Sequence, residues 1–380
     1  MAPSLLERQL LRTRNGVRYY AGLSRPPLAQ TPRDLVWRRD TARLWRYRSD
    51  ERRIAPPVLI VHSLISKSYI LDLLPNATMI GFLLGEGFDV FMLDWGRPYP
   101  ADAENTLETY FEGYMPAAVA AACAESGADE VSLIGYCLGG VLALLLAAAD
   151  PEQPIRNLIT LTTPCDFTEL GFMSQMFIEG RLNPEDVIDA TGLVPARVLD
   201  RGFQSLKPTD AIVQQVNVWQ NLWNDQWLTG FVAMNKWTRD HVPFAGAAFR
   251  QIVETLVRDN TLADGVMPTK GREARLADIR CPYLNVFCRR DEIVPPRSAA
   301  PLAGLVGSED VDELCLESGH VGLVAGRQAG KVSMPKIAEW IASHSERSPA
   351  GRSGRRRGGG QTRARREVSG DGSSAGDAAR

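Results

Sequence analysis

The sequence predicts an α/β fold in which a doubly wound, mostly parallel sheet is interrupted by one helical insertion. Three observations predict it. Six short apolar runs, each ending at a polar residue, Gly or Pro, alternate with helix-length segments. The stretch 166–262 breaks that rhythm. The 380 residues are 44% hydrophobic and 23% charged, which suits a chain with a large buried core.

Taken in order, residues 1–52 read as a short, Arg-rich N-terminal segment, with the sheet expected to begin by about Pro57. The runs are APPVLIVHSL (Ala55 to Leu64), FDVFMLDWG (Phe88 to Gly96), DEVSLIGYC (Asp129 to Cys137), IRNLITLTTP (Ile155 to Pro164), CPYLNVFCRRD (Cys281 to Asp291) and VDELCLESGH (Val311 to His320). Near-continuous apolar runs of this length are what parallel strands covered on both faces require. Leu71 to Glu86, Thr106 to Glu125 and Leu138 to Ala149 supply helices between them. The core is therefore expected over 53–165 and 263–345, with ligands bound beyond the carboxyl ends of the strands.

The insertion 166–262 has no convincing strand and reads as a helical cap. Trp219, Trp223 and Trp227 follow one another at four-residue spacing, with Trp237 further on, so they would line one face of a helix. Such a face is either packed core or an apolar lining over a substrate site. The last segment, 346–380, is different in kind. It is rich in Gly, Ser and Arg with almost no apolar residue, so it is expected to be disordered, a solvated tail or a weak electrostatic contact for an acidic partner. From Arg347 onward it holds nine arginines and three acids, which leaves the body near −8 of an overall −2. No aromatic interleaving marks it for specific nucleic-acid binding.

No N-terminal stretch pairs a basic region with an apolar core, and Val141 to Ala149 falls far short of the ~20 apolar residues of a membrane span. The chain is expected to be cytoplasmic. Its six cysteines are scattered without a Cys-x-x-Cys pair, so reduced thiols are expected, with no disulfide framework and no metal site.

The chemistry starts at Cys137. It ends a strand and opens a helix as Gly135-Tyr136-Cys137-Leu138-Gly139, the spacing of a nucleophile elbow. The flanking glycines let strand and helix pack closely, and the helix N-terminus favours a thiolate and offers the N–H of Leu138 to an oxyanion. An elbow nucleophile needs an acid after a later strand and a histidine after the last one. Asp291 and His320 stand in those places, so His320 would take the thiol proton and Asp291 would orient the imidazole. His62, His241 and His344 are out of position for that role. Cys165 and Cys288 read as structural. The second oxyanion donor is expected from the HSLIS loop, at the N–H of Leu64 or Ile65.

Together HSLISKSYILDLLP (His62 to Pro75), GFDVFMLDWGRP (Gly87 to Pro98), GYCLGG (Gly135 to Gly140), DEIVPP (Asp291 to Pro296) and SGHVG (Ser318 to Gly322) resemble the polyhydroxyalkanoate synthases, in particular the short catalytic subunit of their two-subunit type. The resemblance spans about Arg53 to Ser343. It implies the α/β-hydrolase fold with a cap, and polymerisation of (R)-3-hydroxyacyl-CoA into a polyester with release of CoA. It also implies Cys137, Asp291 and His320 as the catalytic residues, no cofactor beyond the acyl-CoA substrate, and association with polymer granules.

Two features depart from the pattern. Glu292 stands where the family commonly has histidine, and the Arg-rich tail has no counterpart. The short N-terminal segment leads to the expectation of a second synthase subunit, with a homodimer as a further possibility. A cysteine hydrolase of the dienelactone-hydrolase kind and an inactive binding module are the rival readings.

Overall fold

The computed structural model describes residues 4–49, 52–75, 78–205, 210–269, 272–326 and 328–347. All but the first two residues of the expected tail, 346–380, lie outside the described residues.

Each of the six expected runs forms a strand. These are β3 (Ile54–Val61), β4 (Phe88–Asp94), β5 (Val131–Tyr136), β6 (Ile155–Leu161), β11 (Tyr283–Cys288) and β12 (Val311–Leu316). They lie parallel in the order β4-β3-β5-β6-β11-β12. Every residue of β5 and β11 is buried, as a strand covered on both faces demands. The α/β class is borne out.

The N-terminal segment, expected to be short and Arg-rich ahead of the sheet, carries regular structure of its own. Helix α1 (Leu5–Tyr20) begins at a capping box in which Ser4 and Glu7 satisfy each other's backbone amides. A hairpin of β1 (Arg33–Arg39) and β2 (Ala42–Tyr47) then joins the sheet, with β2 antiparallel to β4. The sheet thus begins at Arg33 rather than near Pro57. The two strands escape the apolar-run criterion because charged residues interrupt them, RDLVWRR in β1 and ARLWRY in β2. Arg46 on β2 forks onto Asp89 on β4 at 2.6 and 3.1 Å, a largely buried pair that fastens the hairpin.

Chain order reverses at β3: β4 lies on one side of it and β5 on the other. The carboxyl ends of β3 and β5 therefore flank the topological switch point, where the crossover connections diverge and leave a crevice. Helices α2 (Met79–Glu86) and α3 (Met115–Ser126) precede β4 and β5, and α4 (Leu138–Ala149) follows β5 directly, with all twelve of the α4 residues buried. Its sequence LGGVLALLLAAA is apolar on every side, which fits a helix enclosed by sheet and neighbours. Apolar clusters cover both faces of the sheet.

Between β6 and β11 the chain is mainly helical. It includes α5 (Phe172–Ile178), α6 (Ala196–Ser205), α7 (Asp210–Asn221) and α8 (Asp225–Trp237). Two short pairings were missed by the sequence reading. Strand β7 (Leu193–Val194) pairs with β8 (Phe244–Ala245), and β9 (Val266–Thr269) with β10 (Arg272–Arg275). Runs of two to four residues carry too little periodicity to register. Among the described residues no helix is long and apolar enough to cross a membrane.

Candidate active site

Cys137 occupies the turn between β5 and α4 with φ 56° and ψ −125°, a conformation that L-residues rarely adopt. Its surroundings hold it there. The Cys137 N–H donates to the Leu161 carbonyl at 2.9 Å, and its own carbonyl accepts from Gly140 at 2.8 Å. The glycines around it are required by close approach. A Cβ on Gly135 would lie 2.4 Å from the Cα of Gly140, and one on Gly139 would lie 2.3 Å from the Val61 carbonyl oxygen. Strand, elbow and helix thus touch backbone to backbone, and the half-buried thiol faces the crevice.

The loop after β12 brings His320 to this thiol, and the loop after β11 brings Asp291 behind the imidazole. Nδ1 of His320 lies 2.8 Å from Oδ2 of Asp291, while Oδ1 of Asp291 accepts from the N–H groups of Ile293 and Val294 at 2.9 and 2.8 Å. Both residues are buried. Burial alone would pull the His320 imidazole down, but the negative charges of Cys137 and Asp291 outweigh it, and its pKa is pushed up to about 10. The arrangement keeps the imidazole protonated beside the Cys137 sulfur. Tyr136 closes the other side, its hydroxyl donating to the His320 carbonyl at 3.3 Å. The three residues singled out by chain order are therefore brought together.

The loop after β3 lies opposite, and Ile65 lines the cavity with Cys137. Leu64 is buried beside it. As the first residue of α4, Leu138 has an amide with no partner inside the helix, and it sits at the elbow. His62 is a buried residue behind the loop, its Nε2 3.8 Å from Asp94 Oδ1 and its carbonyl accepting from Trp95 Nε1. His344 lies near the surface, stacked on Trp340 with Nε2 3.2 Å from Asp310. Cys165 and Cys288 are buried, and burial pushes each thiol up to about 12. Neither is a thiolate at neutral pH.

In front of Cys137 opens a cavity of about 890 Å³. Trp219, Trp223 and Trp227 do not line it, so of the two readings open for them the apolar lining over a substrate site is the one that fails. Trp219 and Trp223 lie under the Arg12 and Arg8 guanidinium groups of α1, and Trp227 stacks on Phe231 with ring centres 5.0 Å apart. They do not share one helix either. Residues 222–224 form a turn that puts Trp219 on α7 and Trp227 on α8, and α1, not anticipated, supplies the arginines that lie over Trp219 and Trp223. The lining comes instead from Phe203 on α6 and from Phe231, Met234, Asn235 and Thr238 on and just beyond α8. The last four recur at i, i+3, i+4 and i+7, a helical signal present in the sequence but weaker to the eye than the tryptophans. Trp237 also reaches the cavity, and its Nε1 donates to the Lys67 carbonyl at 2.8 Å.

A parallel sheet with a switch-point crevice, a strained elbow and a buried His–Asp pair behind it defines the α/β-hydrolase class, and the family model described as "alpha/beta hydrolase fold" matches residues 56–323. A second model, described as the N-terminus of poly-beta-hydroxybutyrate polymerase (PhaC), matches residues 24–83 and so takes in the β1–β2 hairpin. Within that class the chain belongs to the family of the poly(3-hydroxyalkanoate) polymerase subunits PhaC. It is 34% identical over 317 residues to the PhaC subunit of Allochromatium vinosum, covering 82% of this chain and 88% of that one. It is 31% identical over 319 residues to that of Thiocystis violacea, covering 83% and 89%. With the subunit of Haloferax mediterranei it shares 33% identity over 328 residues, 85% of this chain and 66% of the other.

Proposed function

We propose that this chain is the catalytic subunit of a polyester synthase, which joins (R)-3-hydroxyacyl groups from CoA thioesters into a polyhydroxyalkanoate and releases CoA. The observation that carries the reading beyond family membership is a cysteine, held at a strained elbow, in contact with a buried histidine–aspartate pair and facing a large, mainly apolar cavity.

The steps balance. The Cys137 thiol gives its proton to Nε2 of His320, and the thiolate attacks the thioester carbonyl. The oxyanion is held by the N–H of Leu138 and that of Ile65 or Leu64. As the C–S bond to CoA breaks, the departing thiolate takes the proton from His320, leaving an acyl-cysteine. One thioester replaces another of similar energy, so the acyl group stays reactive and no cofactor is needed. His320 then accepts the proton of a 3-hydroxyl group as that oxygen attacks the acyl-cysteine. An ester bond forms, and the proton returns to the Cys137 sulfur. Asp291 orients the ring and stabilises its charged form. The helical cap over 166–262 supports this chemistry by limiting water in the cavity.

The relatives are named polymerase subunits, which supports reading this chain as one part of a complex with a second protein. The same reading puts it in the cytoplasm at the surface of polymer granules, with homodimers as its other assembly.

The test is incubation with 3-hydroxybutyryl-CoA, following thiol release and turbidity together. A synthase releases CoA as the solution clouds with insoluble polymer. Release of CoA with free 3-hydroxybutyrate would identify a cysteine hydrolase instead, and no release, with or without a co-purifying partner, an inactive binding module.

A further inference from the structure

The cavity holds a second imidazole that these steps do not use. His241 follows α8, and its side chain is only 8% exposed. Its ring lies flat on Phe203, with centres 5.0 Å apart and planes 8° apart, which fixes its orientation. Nδ1 is buried without a hydrogen-bond partner, and Asp200 Oδ1 stands 3.8 Å from it, too far to serve as one. An imidazole this short of partners gains from a hydrogen-bonding group that enters the cavity it lines. Burial holds the His241 imidazole below its ordinary range despite the opposing pull of Asp200 and Asp240. The ring is therefore neutral at neutral pH, with one nitrogen that accepts and one that donates.

Position narrows what could pair with it. His241 lines the same cavity as Cys137, His320 and Ile65, and the next residue, Val242, donates its N–H to the Ile65 carbonyl at 3.3 Å. His241 is thus tied to the loop that would hold the carbonyl oxygen of a bound acyl group. In a 3-hydroxyacyl thioester the hydroxyl sits two carbons from that carbonyl. From these contacts we infer that His241 is a positioning residue that hydrogen-bonds the 3-hydroxyl of the acyl group at Cys137 and so selects hydroxyacyl over plain acyl thioesters. The inference rests on the polyester-synthase reading. An acyl chain lacking the hydroxyl leaves the imidazole without that partner, which is how a polar pocket rejects a deoxy analogue.

The experiment compares 3-hydroxybutyryl-CoA with butyryl-CoA, which can acylate Cys137 but carries no hydroxyl. Single-turnover formation of the acyl-enzyme is followed by intact mass, and CoA release gives kcat and KM. The wild-type protein is expected to prefer the hydroxyacyl ester by about tenfold, the scale of one hydrogen bond with its unpaired alternative. His241→Phe preserves the stacking on Phe203 and is expected to erase the preference, chiefly by raising KM for the hydroxyacyl ester. His241→Gln, which can still hydrogen-bond, is expected to restore part of it. A preference that survives His241→Phe, an equal slowing of both esters, or a wild-type protein that acylates without preference would each overturn the inference. A wild-type protein that is acylated by neither ester, alone or with its co-purifying partner, overturns the synthase reading, and the inference falls with it.

Discussion

Asp291 meets His320 with one carboxylate oxygen and gives the other to the backbone. Oδ2 is 2.8 Å from Nδ1, and Oδ1 receives two amide N–H groups of its own loop. The acid is thereby fixed in rotation as well as in place, and it presents only an acceptor to the imidazole. In Asp291→Asn the loop amides still claim the amide oxygen, which turns the NH2 group toward Nδ1 and imposes the wrong tautomer on the ring. CoA release is expected to fall by roughly 10⁴-fold, the scale of the same exchange in serine-protease triads. A loss under about tenfold in a folded variant would remove Asp291 from this role.

Cys137→Ala deletes one sulfur and keeps the Cβ that the elbow already accommodates. CoA release is expected to drop to background, with the circular-dichroism spectrum unchanged, because the covalent step has no substitute. Turnover in the folded variant would place the nucleophile elsewhere.

The raised pKa of His320 gives stability a defined pH dependence. The folded value is about 10, above the ~6.5 of an unfolded chain, so the proton is held more tightly in the native state. The stabilisation is fully present below about 6.5 and is lost as pH rises through about 10. Urea midpoints are expected to decline across that window. Cys137 helps to hold the proton on His320, so Cys137→Ala should move the decline to lower pH, and superimposable profiles for the two proteins would show that Cys137 has no part in it.

Gly139→Ala puts a methyl group 2.3 Å from the Val61 carbonyl, an atom of the central strand that cannot rotate aside. The expected cost is about 1–3 kcal/mol or more, read as a lowered denaturation midpoint. Activity should fall further than stability does, since relief of the clash pushes apart the elbow and the loop after β3.

The tryptophans separate by position. Trp219 is 61% exposed, so Trp219→Ala is expected to change CoA release by less than about twofold. Trp237 is buried at 9% exposure and bonds the loop after β3, so Trp237→Ala is expected to destabilise by about 3–5 kcal/mol and to impair turnover in what remains folded. Equal effects at the two positions would contradict the lining described above.

Parallel strands and the chemistry at their ends were legible because both leave local marks. β3, β4, β5, β6 and β11 are mostly apolar runs and β12 is a weaker one broken by Asp312 and Glu313, and Cys137, Asp291 and His320 each stand just past the carboxyl end of a strand. The cap was less legible. A stripe of tryptophans looks the same in sequence whether it faces a ligand or another helix, and α1, which settles the matter for Trp219 and Trp223, lies some 200 residues away in the chain. The β1–β2 hairpin was hidden by its arginines, although the capping box at Ser4 and Glu7 was there to announce α1.

Among the described residues the sheet ends in two outer strands of opposite sign. The outer strand at one end, β1, carries three arginines and one aspartate, and the outer strand at the other, β12, carries Asp312 and Glu313 with no base. Two molecules that met rim to rim through the same strand would set like charges side by side along the new ladder, an arrangement that cross-strand pairing penalises. Extending the sheet from one copy into its symmetry mate is therefore opposed by electrostatics rather than by shape. Such opposition weakens as salt shortens the Debye length from about 30 Å at 0.01 M to about 3 Å at 1 M, so concentrated electrolyte strips the rims of their guard.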